Sequence, residues 1–110
     1  MLGVSDVIIV TTDVVSNRKI QEVKGLVKGS TVRSKHIGKD FGAAIQNLVG
    51  GELVGYNEML VEARQIAIAR MVEEATAMGA NAVIGFRLMS SSVMQGAAEM
   101  VAYGTAVIIE

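Results

Sequence analysis

The sequence contains no cysteine, no proline and no tryptophan, and its one histidine is His36. Without cysteine there is no disulfide framework, no thiolate zinc site and no thiol nucleophile, and a reducing compartment suits the chain. Aromatic residues are scarce, with two tyrosines and two phenylalanines, and 10 Lys and Arg stand against 11 Asp and Glu. A nucleic-acid binder needs a basic surface and rings on which bases stack, so nucleic acid is not an expected partner. No apolar stretch approaches the roughly 18 residues of a membrane span. The opening Met1-Leu2-Gly3-Val4-Ser5-Asp6 also lacks the basic n-region of a secretory signal. The expectation is a cytoplasmic protein with no membrane partner.

What the sequence has in excess is aliphatic surface. Counting glycine and leaving out tyrosine, roughly 60% of the 110 residues are apolar, against roughly 45–50% in an ordinary domain. With a formal net charge of −1, such a chain buries enough surface to fold, and its length is that of a single domain, residues 1–110.

Val7–Val10 is β-branched and too short for a helix, which predicts a buried strand. Lys19–Val27 and Thr31–Ile37 read as two further strands interrupted at Gly29-Ser30, with a bulge at Gly25. Asp40 is placed to cap a short first helix over Phe41–Gln46, which Gly50-Gly51 would stop. Tyr56–Met78 is the second and longer helix, closed by Gly79. Ala82–Met89 and Ala97–Ile109 are the last strands, with Ser90-Ser91-Ser92 as the turn between them. Helices grouped between strand pairs predict an α+β domain with one mainly antiparallel sheet and two helices on one face.

On the long helix, Leu60, Ala63, Ala67, Met71, Ala75 and Met78 fall within about 60° of one line, the face expected on the sheet. Apolar residues flank that face on both sides and leave only a narrow polar strip. Arg64 projects close to the apolar face, and Arg70 and Glu74 stand at the i, i+4 spacing of an ion pair. A sheet covered on one side and a helix apolar on several sides predict a homo-oligomer, because small domains hide such surface in closed symmetric assemblies.

Chemical motifs are sparse. His36 with Asp40 is the only nitrogen-containing start of a metal site, and a single chain supplies too few soft donors to complete one, so no cofactor is expected. Arg33, Lys35, His36 and Lys39 precede a predicted helix N-terminus, an arrangement suited to an anion. Neither GxxxxGK[ST] nor GxGxxG occurs, so a nucleotide phosphate site lacks its signature. Ser90, Ser91 and Ser92 have no histidine near them in sequence and no strained G-x-S-x-G turn. Glu52, Glu99 and Tyr103 form no acid–base constellation that the sequence shows. The chain reads as a non-enzyme. Ligand-binding candidates are Arg33, His36, Asp40 and Arg64, the last as a guanidinium lining a pocket at a subunit boundary.

Several ordered blocks bear a resemblance to a known family. They are Val10-Thr11-Thr12, Val23-x-Gly25-x-Val27-x-Gly29, His36-Ile37-Gly38-Lys39-Asp40 and Asn47-Leu48-Val49-Gly50-Gly51-Glu52. Tyr56, Ala63-Arg64, the run Gly79–Gly85 and Tyr103-Gly104-Thr105-Ala106-Val107 complete the set. Together they resemble the YbjQ-like family, which also carries a heavy-metal-binding name, over nearly the whole chain. The resemblance implies small α+β subunits related to the dodecin-like fold, assembling as ring-shaped pentamers. Two function classes lead the reading of the residues: a homo-oligomeric module binding a metal ion or small anion between subunits, or a structural or stress-related ring with no small ligand; an enzyme of unknown type ranks third.

Overall fold

The computed structural model describes residues 6–34, 53–94 and 97–110. Strand β1 spans Ile8–Ile9, β2 Ile20–Ser34, helix α1 Leu53–Ala77, β3 Ala82–Met94 and β4 Ala97–Ile109. The sheet order is β1-β3-β4-β2. β4 lies antiparallel to both β2 and β3, whereas β1 pairs in parallel with β3 through Ile8↔Ala82 and Ile9↔Val83.

This corrects the expected architecture. Among the described residues there is one helix, and the sheet is mixed rather than mainly antiparallel. The parallel pairing arises because α1 runs back along β2, so that β3 starts at the same end of the sheet as β2 did, with β4 inserted between them. The helix expected over Phe41–Gln46 lies outside the described residues, and a pentameric, dodecin-like ring is not shown by the single chain. Two further differences concern strands. Gly29-Ser30 does not interrupt β2, and Ser90-Ser91-Ser92 is not a turn but the middle of β3, paired with Met100, Glu99 and Ala98.

β4 alternates strictly over residues 97–106 apart from its first pair, with Ala98, Met100, Ala102, Gly104 and Ala106 buried beneath α1. The principal core joins that face to Val27 of β2, Val83 of β3 and Ala63, Ala67, Met71 and Ala75 of α1. A second, smaller core lies on the opposite face at one end, where Ile8, Val15 and Ile20 cover Ala82, Val107 and Ile109. Among the described residues nothing covers the remainder of that outer face. Gly25, at the register shift after Val23, has a φ of 127°, a conformation that L side chains rarely adopt, and so forms the expected bulge.

Three strands meet at Asn81, and its side chain imitates a strand. Nδ2 donates to the Ile109 carbonyl at 2.9 Å, and Oδ1 accepts from the Ile109 N–H at 2.8 Å. The Asn81 backbone meanwhile donates to Val107 O and accepts from Ile8 N, both at 3.1 Å. Asn81→Leu removes both side-chain bonds and leaves a half-buried peptide unit unpaired, with an expected loss of about 2 kcal/mol. Asn81→Asp retains the acceptor but places a carboxylate against the Ile109 carbonyl, so it should recover little. Urea denaturation of both variants checks this, and an unchanged midpoint for Asn81→Leu would show that the amide pair contributes nothing.

The described chain is elongated, with extents of 53 × 25 × 23 Å and a radius of gyration of 17.0 Å, where a compact domain of about this length has ~13 Å. Strands of 13 to 15 residues cannot be folded into a sphere by one helix.

Candidate functional site

Of the four candidate ligand residues, Arg33 and Arg64 are described, while His36 and Asp40 lie outside the described residues. Arg33 sits near the end of β2 on the face turned toward α1. Its Nη2 donates to Glu62 Oε1 at 2.7 Å, with both side chains well exposed. Such a solvated pair contributes on the order of 0.2–1 kcal/mol. Its consequence for binding is larger, because the guanidinium already has a carboxylate partner.

Arg64 follows Glu62 by two residues and therefore projects about 200° away around the helix. It lies half-buried on the other flank of α1, and no described residue accepts a hydrogen bond from it. The structure thus does not bring Arg33 and Arg64 together. Arg33, on β2, meets one flank of α1 through Glu62, and Arg64 stands on the other.

The charges of Arg70 and Glu74 are also used differently from the expected i, i+4 pair. Among the described residues β2 is an edge strand, and the groups of Lys28 and Ser30 that point away from β4 have no neighbouring strand there. Glu74 Oε1 accepts from the Lys28 N–H at 2.8 Å, and Arg70 Nη1 donates to Ser30 O at 2.8 Å. With Glu62 on Arg33, three side chains of α1 therefore stitch the helix to residues 28, 30 and 33 of the strand. Sequence spacing shows that Arg70 and Glu74 could reach one another. It carries no sign of the helix–strand register that gives them better partners, and so it also missed Glu62. Glu74→Ala is expected to cost about 1 kcal/mol and to speed hydrogen exchange at the Lys28 amide while leaving Val27 protected. Equal exchange in both proteins would remove Glu74 from the edge.

Arg87 ties the N-terminal segment to the sheet, Nη1 donating to Phe86 O at 2.8 Å and to Thr11 O at 3.2 Å. Among the described residues no hydrogen bond links a serine hydroxyl to a carboxylate, and Ser92 Oγ donates to Met94 O. No nucleophile with a base takes shape there. No group of three or more His, Cys, Asp or Glu converges on one point among the described residues. No helix of the described residues is long and apolar enough to cross a membrane.

Fold and site together define a small α+β domain: among the described residues, one long helix is laid across a four-stranded mixed sheet whose outer face is largely uncovered. The chain belongs to the YbjQ-like family, also named UPF0145, whose family model, described as "Putative heavy-metal-binding", matches residues 7–110. It is 72% identical to a UPF0145 protein of Clostridioides difficile over 94% of this chain and 92% of that one. A UPF0145 protein of Thermus thermophilus is 55% identical over 99% and 96% of the two chains. Neither relative carries an enzyme name. The fold is similar to the crystal structure of a DUF74-family protein of unknown function from Pediococcus pentosaceus, with a TM-score of 0.57 at 16% identity, covering 94% and 98% of the two chains.

The family description implies a soft metal, and the donor set of this chain does not fit one. Thiolate is absent from the whole sequence and imidazole occurs once, whereas tetrahedral soft-metal sites take three or four Cys, His or carboxylate ligands. One chain by itself offers no thiolate and a single imidazole, which leaves carboxylates to supply the remaining ligands.

Proposed function

We propose that this protein is a homo-oligomeric, non-enzymatic binding module of the cytoplasm, taking a metal ion or small anionic ligand at sites repeated between its subunits. The observation that supports this reading is the sheet face that no described residue covers. Val23, Leu26 and Val32 of β2 are 63%, 66% and 58% exposed, and their register partners put them beside Val107, Thr105 and Glu99 on the side opposite α1. Large apolar side chains left open along one sheet face favour an interaction surface there, and the elongated shape gives that face length.

The ligand part of the reading draws on Arg64, a half-buried cation on the flank of α1, and on the donor arithmetic above. A metal would need His36 and Asp40 from several copies, and an anion would need Arg64 with Arg33 or His36 contributed by another copy. Native mass spectrometry before and after treatment with a chelator tests both parts. The expected spectrum is a single oligomer carrying an adduct that Arg64→Ala or His36→Ala removes. A stable monomer at micromolar concentration overturns the reading.

The ion pair between Arg33 and Glu62 favours a second reading, a structural assembly without a small ligand, because it occupies one of the cations such a ligand would use. An oligomer free of adducts in every preparation would select it.

A further inference from the structure

We propose that the trough beside α1, where the helix-facing side of β3 lies open next to Arg64, binds the carboxylate of a small apolar acid. The proposal rests on the anion-binding part of the reading above and names the ligand class together with the part of the site that one chain supplies.

α1 covers only part of each row of residues on the face beneath it. In one row Thr31 of β2 and Met100 of β4 are 8% and 4% exposed, whereas Ser90, the β3 member of that row, is open. The next row repeats the step, with Gly29 and Ala102 buried and Leu88 37% exposed. Gly29 stands against Ala67 and Met71, and Arg33 bonds Glu62, so Arg64 falls between those two levels, beside the row that ends in Ser90. The seam with β2 takes Glu62, Arg70 and Glu74 from one flank of α1. Arg64 and Ile68, one turn apart, stand on the flank toward β3, where Ile68 and Phe86 both pack against the core.

Arg64 is half-buried with no charge on its own helix to balance it. The residues three and four positions away are Leu60, Val61, Ala67 and Ile68, all apolar. The trough floor offers Leu88 and Ser90, again without a carboxylate, and no described residue forms an ion pair with Arg64. A cation drawn partly out of water is stabilised by an anion that takes up its hydrogen bonds. The single positive charge matches a monoanion, and the planar fork of a guanidinium matches both oxygens of a carboxylate. The Ser90 hydroxyl supplies a further donor, and Ile68 and Leu88 give the rest of the molecule an apolar bed. A phosphate dianion would leave one charge uncompensated there, and Arg64 would repel a metal cation.

Titration of the intact protein with sodium hexanoate, acetate and inorganic phosphate, followed through amide chemical shifts, tests the assignment. Hexanoate should shift the signals of Ile68, Leu88 and Ser90 and bind at least ~10-fold more tightly than acetate, because its longer chain is buried on the apolar bed. Arg64→Met should weaken hexanoate at least ~10-fold, and Arg64→Lys, which keeps the charge but loses the fork, by a smaller factor. Ser90→Ala should weaken it ~3-fold, and this variant decides the matter if Arg64→Met does not fold. Absence of hexanoate binding, binding unchanged in Arg64→Met and Ser90→Ala, or phosphate held as tightly as hexanoate overturns the assignment and leaves the homo-oligomeric reading standing. A monomeric parent that binds hexanoate with these losses overturns that reading instead and upholds the trough.

Discussion

Replacing Gly29 with alanine is expected to destabilise the subunit by about 3 kcal/mol, the upper end of ordinary overpacking costs, and replacing it with valine should prevent folding. A Cβ on Gly29 would stand 2.3 Å from Ala67 O and 2.3 Å from Met71 N. Those two atoms are the acceptor and donor of one i→i+4 bond in α1, so the strand rests directly on a helical hydrogen bond. Favourable C···O contacts begin near 3.3 Å, which leaves about 1 Å to be found by moving backbone rather than a side chain. Lifting the helix by that much would open the core that Ala63, Ala67 and Met71 form with Val27 and Ala102. The alanines at 63 and 67 serve the same close approach from the other side. Urea denaturation gives the cost, and a Gly29→Ala midpoint equal to that of the parent would show that α1 does not sit on β2 in this way.

The second large effect is expected at Met71, the largest fully buried side chain among the described residues. Met71→Ala removes its side chain beyond Cβ from the centre of the helix–sheet core, at an expected cost of 2–5 kcal/mol for buried Met, Leu or Ile truncations. Met71→Leu preserves volume and should cost less than about 1.5 kcal/mol. Met78, the residue that follows α1, is 36% exposed, and Met78→Ala should change stability far less. Thermal unfolding of the three variants separates these outcomes. A Met71→Ala loss no larger than that of Met78→Ala would mean the core closes around the gap or is not packed as described.

The contrast between Met71 and Met78 also shows what could be read from the residues alone. Helical spacing placed both on one face, and Ala63, Ala67, Met71 and Ala75 are indeed buried, yet the spacing says nothing about where the sheet beneath the helix ends. β4 was legible to its bounds, because small and apolar residues alternate along it and one face is packed. Gly29 misled for a physical reason. Glycine weakens a strand locally, but this one is required by the helix lying against it, a partner 38 to 42 residues away in the sequence. The three serines misled in the same manner, since their local preference for a turn yields to pairing with β4. Parallel pairing of β1 depends on the return path of α1, which no local pattern encodes. For the candidate site, residue type identified Arg33 and Arg64 as charges needing explanation, but their separation is a matter of helix–strand register.

The side chains of Glu74 and Arg70 on the β2 edge have a consequence best put in the language of polymer chemistry. A sheet with two reactive edges behaves as a difunctional monomer and can grow without limit into a fibre. Occupying the Lys28 N–H and the Ser30 carbonyl from within the same molecule removes both groups from the set that an incoming strand could use at that edge. For a chain so rich in aliphatic residues, two hydrogen bonds from one helix thereby weigh against open-ended growth at that edge.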